Sequence, residues 1–263
     1  MKTDITGRRA LVMAASKGIG RGIALGLAQE GAVVCIVARN EETLAQTAAD
    51  IRKETGATVF YMAADVSKAQ DIEKIYHFAI KEMGGVDILI NNSGGPKFGN
   101  LLSLSAQDWD ETINLTLLST VRMTTLAVPF MAAQKWGRIV TVTSITAGEP
   151  VPSMILSCTA RAGVTAFMKS LATDLAAQGI TANVAAPGGV LTDRIRDLVK
   201  TKADLDKVPY EDLMRDNEKT IPLGRFATPD EFASYVVFLC SDQARYITGT
   251  ALNIDGGLSK GIF

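Results

Sequence analysis

The chain has 263 residues, 47% of them hydrophobic and 21% charged, a composition that suits a globule with a sizeable core. Its 27 basic residues balance 28 acidic ones for a net charge of −1, which argues against nucleic-acid or anionic-membrane binding, since both need a basic footprint. Apolar runs such as 32–38 stop well short of the roughly 18 residues a membrane span needs. The opening Met1-Lys2-Thr3-Asp4 has no apolar signal core, so no secretory leader is expected. Cys35, Cys158 and Cys240 show no metal-type spacing, and His77 is the single histidine, so neither a metal site nor a histidine-centred triad is expected. The expectation is a cytoplasmic α/β protein with a small-molecule partner.

In chain order, 9–14 reads as a buried strand and 18–30 as a helix ended by Gly31. Strand 32–38, helix 41–54 and strand 58–62 follow, then helix 68–83 and strand 86–90. A long helix is expected at 106–134, strand at 138–143, helix at 153–178 and strand at 181–185. Helix 229–241 and strand 251–254 close the chain. Val/Ile-rich strands alternating with helices predict a doubly wound, Rossmann-type parallel sheet covered on both faces. No repeat, low-complexity tract or linker divides 1–263, so a single domain is expected.

The first strand runs into Ala14-Ala15-Ser16-Lys17-Gly18-Ile19-Gly20 and then a helix. Such a turn lets backbone N–H groups reach a dinucleotide diphosphate at the positive end of the helix. On its own it is equally a tight strand–helix connection; its place in the first βα unit favours the cofactor. Asp65-Val66 after the third strand and Asn91-Asn92-Ser93-Gly94 after the fourth fall on the same carboxyl edge. An NAD site usually places an acid at the end of the second strand, to hold the ribose 2′-hydroxyl. Here that strand ends in Ala38-Arg39, with no acid before Glu41. Arg39 suits a 2′-phosphate, and Lys17 adds a second cation, so NADP(H) is the expected cofactor.

With these motifs in view, the chain resembles the short-chain dehydrogenase/reductase family, in particular its 3-oxoacyl-carrier-protein-reductase-like branch. The likeness runs through Gly18-Ile19-Gly20, Asp65-Val66, Asn91–Gly94, Asn114, Ser144, Pro187-Gly188, Thr192 and the closing Asp255-Gly256-Gly257. The resemblance implies a sheet of about seven strands, a nicotinamide cofactor and commonly a homotetramer joined through two long helices. It also implies that Asn92 and Val190 touch the cofactor, that Thr192 meets its nicotinamide end, and that Asn114 holds a water of the proton relay.

The chain departs from the family pattern in three places. Met13-Ala14 stands where the family has Thr-Gly; alanine still permits backbone approach to a phosphate if φ stays negative. Ser93 replaces an alanine. The third departure touches the chemistry. The family carries a tyrosine thirteen residues after its serine and a lysine four further on, and counting from Ser144 lands on Ser157 and Arg161. A phenol with a pKa near 10 can be tuned toward neutrality as a proton donor, whereas a serine hydroxyl is far weaker. Arg161 stays charged and exchanges no proton near pH 7. Ser144, Ser157 and Arg161 could instead hold negative charge on a substrate oxygen. That favours hydride addition to a conjugated enone or enoyl carbon, with ordinary carbonyl reduction through Ser144, an Asn114-held water or Tyr210 as an alternative. A catalytically silent NADPH-binding sensor or assembly subunit is the reading from another class.

Other residues weigh less. Cys158 reads as a small buried apolar residue and His77 as a surface residue. Lys97, Arg194 and Arg196 flank the expected cleft mouth, where they either receive a substrate carboxylate or phosphate or are solvated loop charges. The segment 191–221 reads as a substrate lid.

Overall fold

Successive residues of strand β1 (Arg9–Met13) point to opposite sides of the sheet: Ala10 and Val12 enter one core, Leu11 and Met13 the other, and all four are at most 2% exposed. The computed structural model describes residues 3–261; Met1 and Lys2, read above for a signal core, lie outside the described residues. The remaining strands are β2 (Val33–Ala38), β3 (Val59–Ala63), β4 (Ile88–Asn91), β5 (Gly137–Val142), β6 (Ile180–Pro187) and β7 (Ala251–Ile254). All pair in parallel, in the order β3-β2-β1-β4-β5-β6-β7. The sheet is the seven-stranded, doubly wound α/β fold expected from the alternation of strands and helices.

The helices are α1 (Gly18–Gln29), α2 (Glu41–Thr55), α3 (Ala69–Met83), α4 (Ala106–Thr112), α5 (Ser119–Ala133), α6 (Ile155–Leu175), α7 (Asp193–Asp206), α8 (Tyr210–Thr220) and α9 (Pro229–Cys240). Helices α1, α2 and α9 close one face through Ile23, Leu27, Leu44, Ile51, Phe232 and Val236. Helices α3, α5 and α6 close the other through Ile72, Ile75, Met123, Met131, Val164 and Met168. Each fully buried side chain of this size contributes roughly 1.5–3 kcal/mol, so the two cores fix the strand ends firmly.

The long helix expected at 106–134 is continuous in course but not in winding. Ser105 opens α4 with a capping box: its hydroxyl accepts from Asp108 N, and the Asp108 carboxylate accepts from Ser105 N at 2.8 Å. A π-helical segment, Ile113–Leu118, then separates α4 from α5, and Ser119 N–H donates to the carbonyl of Asn114, five residues back. The whole stretch Ala106–Ala133 is long and apolar enough to cross a membrane by length and composition, a property that the short apolar runs of the sequence did not suggest. It packs instead against α3, α6, β4 and β5, and its buried Thr124 hydroxyl accepts from Asn91 Nδ2 at 3.1 Å. The expected helix at 153–178 starts at Ile155 and closes in a 3₁₀ turn, Ala176–Gln178. The segment 191–221 is folded into α7 and α8.

The strand order reverses between β1 and β4, which opens a crevice at the carboxyl edge of the sheet. Most of the motifs singled out in the sequence fall around that edge.

Candidate active site

A cleft of about 1050 Å³ runs along this edge, bordered by the turns after β1, β2, β3, β4, β5 and β6. At one end, α1 begins at Gly18 with no side-chain cap and no acid in its first turn, so its N-terminal N–H groups and the positive end of the helix are left for an anion. Gly20 is required there: a Cβ would stand 2.3 Å from the carbonyl oxygen of Ala14. Asn92 Nδ2 donates to that same oxygen at 3.3 Å and ties the turn to the end of β4. Gly94 borders open space, so its backbone can meet a ligand directly. Lys17 and Arg39, both exposed, line the cleft beside Asn40, which caps α2 by accepting from Thr43 N at 2.8 Å. The turn, the helix end and the two cations fit a phosphorylated dinucleotide.

At the other end, Ser144 follows β5. Its Oγ accepts from Thr146 N at 3.2 Å and Thr146 Oγ1 at 3.1 Å, which leaves its own proton to donate. Ser157 and Arg161 lie one turn apart on α6, 5% and 8% exposed. Arg161 Nε donates to Ser157 Oγ at 3.2 Å, while Nη1 donates to the carbonyls of Val142, at 3.3 Å, and Thr143. Burial, reinforced by repulsion from Arg194, pushes the Arg161 guanidinium down to about 10, so it is still a cation at pH 7. Among the described residues, no carboxylate pairs with it and no tyrosine lines the cleft.

A family profile described as Enoyl-(Acyl carrier protein) reductase matches residues 13–259. The chain is 36% identical over 256 residues to the D-beta-hydroxybutyrate dehydrogenase of Cupriavidus necator, covering 96% of this chain and 98% of that one. It is 32% identical over 258 residues to the 3-oxoacyl-[acyl-carrier-protein] reductase FabG of Aquifex aeolicus, covering 98% and 100%. The L-sorbose reductase of Gluconobacter frateurii, solved with NADPH and L-sorbose, superposes with a TM-score of 0.96 at 30% identity over the full length of both chains. The chain belongs to the short-chain dehydrogenase/reductase family.

Within this short-chain dehydrogenase/reductase, the cleft gathers nearly all the residues that the motifs pointed to. Ala14, Ser16, Lys17, Gly18, Ile19, Gly20, Arg39, Asp65, Val66, Asn92, Gly94, Val190 and Thr192 line it together with Ser144, Ser157 and Arg161. The condition of negative φ at Ala14 is not met. Ala14 takes φ +50°, in the left-handed region rather than at negative φ, because the chain must turn sharply between β1 and α1. Thr192 caps α7 and packs its methyl group against the glycine turn, 3.1 Å from where a Gly18 Cβ would lie.

Asn114 is not among the cleft-lining residues. Its amide donates to the Asp110 carbonyl at 2.8 Å and its oxygen accepts from Arg122 Nη2 at 3.2 Å, so the side chain is satisfied along its own helix. Tyr210 opens α8 away from the cleft lining, and Arg196 lies exposed on α7. Lys97 is held by Asp108 at 3.1 Å. Cys158 is buried and His77 is exposed. Arg194 is more than a loop charge: from α7 it donates to the carbonyls of Gly95 at 3.2 Å and Pro96 at 3.3 Å, bridging to the β4 loop. The apolar lining of Leu115, Met154, Ile195 and Leu198 carries no motif, and the sequence offered no signal for it.

Proposed function

We propose that the protein is an NADP(H)-dependent oxidoreductase that passes hydride to a carbonyl or to a conjugated enone or enoyl carbon of a small molecule. Ser157 and Arg161 act in it where the family carries tyrosine and lysine. The observation that carries this reading is the buried Arg161–Ser157 hydrogen bond beside Ser144, in a cleft without a tyrosine. The relatives support the class of chemistry, since the L-sorbose reductase was solved with NADPH and a ketose.

NADPH, when bound, supplies the hydride. Gly18, Ile19 and Gly20 would hold the diphosphate through backbone N–H groups, with Ser16 in the same turn, and Arg39 and Lys17 the 2′-phosphate. Asp65, Val66, Asn92 and Gly94 would border the middle of the cofactor, with Val190 and Thr192 at its nicotinamide end. Ser144 and Ser157 each accept hydrogen bonds from the protein, which leaves both hydroxyl protons to aim at a substrate oxygen. Arg161 orients Ser157 and places a fixed positive charge behind it. A preorganised set of this kind stabilises developing negative charge without donating a proton, with removal of one such donor typically lowering kcat by about 10²- to 10³-fold. That chemistry suits an enolate, whose carbon solvent can protonate. Asn114 is engaged along its own helix by Asp110 and Arg122 and is given no role at the substrate in this reading.

The decisive experiment is a screen of ketones, oxoacyl thioesters and enones with NADPH, following absorbance loss at the nicotinamide. Turnover of an enone above the matching ketone supports the reading. NADPH binding with no acceptor oxidising it would favour a silent sensor or assembly subunit, and absence of nucleotide binding would defeat both. We further infer a cytoplasmic homotetramer or homodimer joined through the outer faces of α5 and α6, whose oligomeric state light scattering measures.

A further inference from the structure

Two guanidinium groups border the substrate end of the cleft, and among the described residues neither has a carboxylate within ion-pair distance. Arg161 is more than nine-tenths buried, and its Nη2 has no acceptor among the described residues. Arg194 reaches the same space from α7, fixed by its two carbonyl bonds to the β4 loop. The fit there is close: a Cβ on Gly95 would lie 2.5 Å from Arg194 Nη2, so the cation rests directly on the backbone. The two groups are near enough to repel, and that repulsion adds to burial in lowering the Arg161 pKa. The acids that line the cleft are engaged or apart. Asp65 Oδ1 accepts from Ser67 N and Oγ at 3.0 and 2.8 Å, and Asp193 is exposed in the first turn of α7.

Arg161 is buried and Arg194, exposed at the cleft mouth, adds a second positive charge beside it, a pair that favours an anion between them. The cofactor's own phosphates have partners elsewhere in the reading given above. Arg39 follows β2 whereas Arg161 bonds to the end of β5, three strand spacings of about 4.8 Å away across β1 and β4. Resting on that reading of the cleft as a hydride-transfer site, we infer that the substrate is an anion whose carboxylate or phosphoryl group is held by Arg194 together with Arg161. The acceptor oxygen then falls to Ser144 and Ser157. Arg194 is a specificity residue, and it also latches α7 over the bound molecule.

Matched pairs test this: 4-oxopent-2-enoate against its methyl ester, 2-oxobutanoate against its methyl ester, and dihydroxyacetone phosphate against dihydroxyacetone. The charged member is expected to exceed the neutral one by about 100-fold or more in kcat/KM, through KM. In Arg194→Ala that preference falls at least about tenfold, and Arg194→Lys restores part of it. Binding of oxamate and of inorganic phosphate to the NADPH complex, read from nicotinamide fluorescence, separates a carboxylate site from a phosphoryl site without needing turnover. Equal or better turnover of the neutral members would overturn the inference. So would an Arg194→Ala variant that weakens NADPH as much as it weakens oxamate, which would make Arg194 a cofactor strap. Arg194-dependent oxamate binding with no acceptor oxidising NADPH would keep the anion site and sink the oxidoreductase reading alone.

Discussion

Arg161 Nε and Ser157 Oγ meet at 3.2 Å across one turn of α6, and the guanidinium is anchored at its other end on the last carbonyls of β5. The serine hydroxyl is thereby held between a fixed cation and the cleft, with its proton directed away from Arg161. Ser157→Ala removes that donor while leaving the arginine's anchorage to β5 intact. The expected outcome is a fall in kcat of about 10²-fold, because the hydrogen bond acts where charge develops. Single-turnover kinetics on the best acceptor, beside NADPH titration by fluorescence, check this; an unchanged hydride-transfer rate would remove Ser157 from the chemistry.

Arg39 sits at the end of β2 with Lys17 across the turn, and β2 ends without an acid. Replacing Arg39 with Asp exchanges a cation suited to a phosphate for an anion suited to a ribose hydroxyl. The ratio of kcat/KM for NADPH over NADH is expected to fall by about 10²-fold or more, since charge-assisted contacts of this type are worth roughly 1.5–3 kcal/mol and repulsion adds to their loss. Steady-state kinetics with both cofactors decide it. Unaltered selectivity would mean that Arg39 is only a solvated charge.

Ala14 holds a left-handed conformation at φ +50° in a turn that Asn92 and Gly20 both constrain. An L-residue there carries about 1–2 kcal/mol of strain, against which glycine's extra unfolded-state entropy is roughly 0.5–1 kcal/mol. Ala14→Gly should therefore stabilise the fold slightly, raising Tm by about 1–4 °C. Calorimetry tests it, and a lowered Tm would show that the turn relaxes around the alanine.

The sequence carried the strand order of motifs well because periodicity and glycine placement are local. Buried alternation at Ala10–Met13 and the turn at Gly18–Gly20 need no distant partner to be read. What escaped depends on contacts between segments far apart. Arg194 and Gly95 are separated by 99 residues, so nothing local distinguished a bridging arginine from a solvated one. The π segment has the composition of an ordinary helix, and only the register of Ser119 N–H onto Asn114 O reveals it. Asn114 was legible as a polar residue amid apolar ones, yet its direction was set by Asp110 and Arg122.

Asp87 precedes β4 with its carboxylate only 2% exposed, accepting from Arg9 N, Nε and Nη2 at 2.7–2.9 Å and from Gln134 Nε2 at 2.6 Å. Burial pushes its pKa up, but the hydrogen bonds from Arg9 and Gln134 outweigh it, and the net shift is downward. Its folded value lies below the unfolded one of about 3.9, so the stabilisation is present above that pH and is lost as pH falls through the folded value. Asp87→Ala should cost about 3 kcal/mol near neutrality, lowering Tm by roughly 6–10 °C. The difference from wild type should begin to shrink below about pH 4, where the unfolded chain's carboxylate takes up its proton first, and should vanish as pH falls through the lower folded value. A gap that stays constant into acid would show that packing, not charge, holds this corner.

Ser157 and Arg161 share one face of α6, spaced by four residues, and both line the cleft beside Ser144. A phenol at 157 would extend into that space, and a lysine at 161 could lower its pKa through charge. Ser157→Tyr with Arg161→Lys is therefore expected to raise simple ketone reduction by about 10²- to 10⁴-fold, the range general-acid catalysis contributes. Conjugated acceptors should gain less, since solvent protonates their carbon in either protein. Parallel assays of one ketone and one enone with wild type and the double variant measure the difference. A folded, NADPH-binding variant no faster on ketones would mean that proton transfer never limited that reaction.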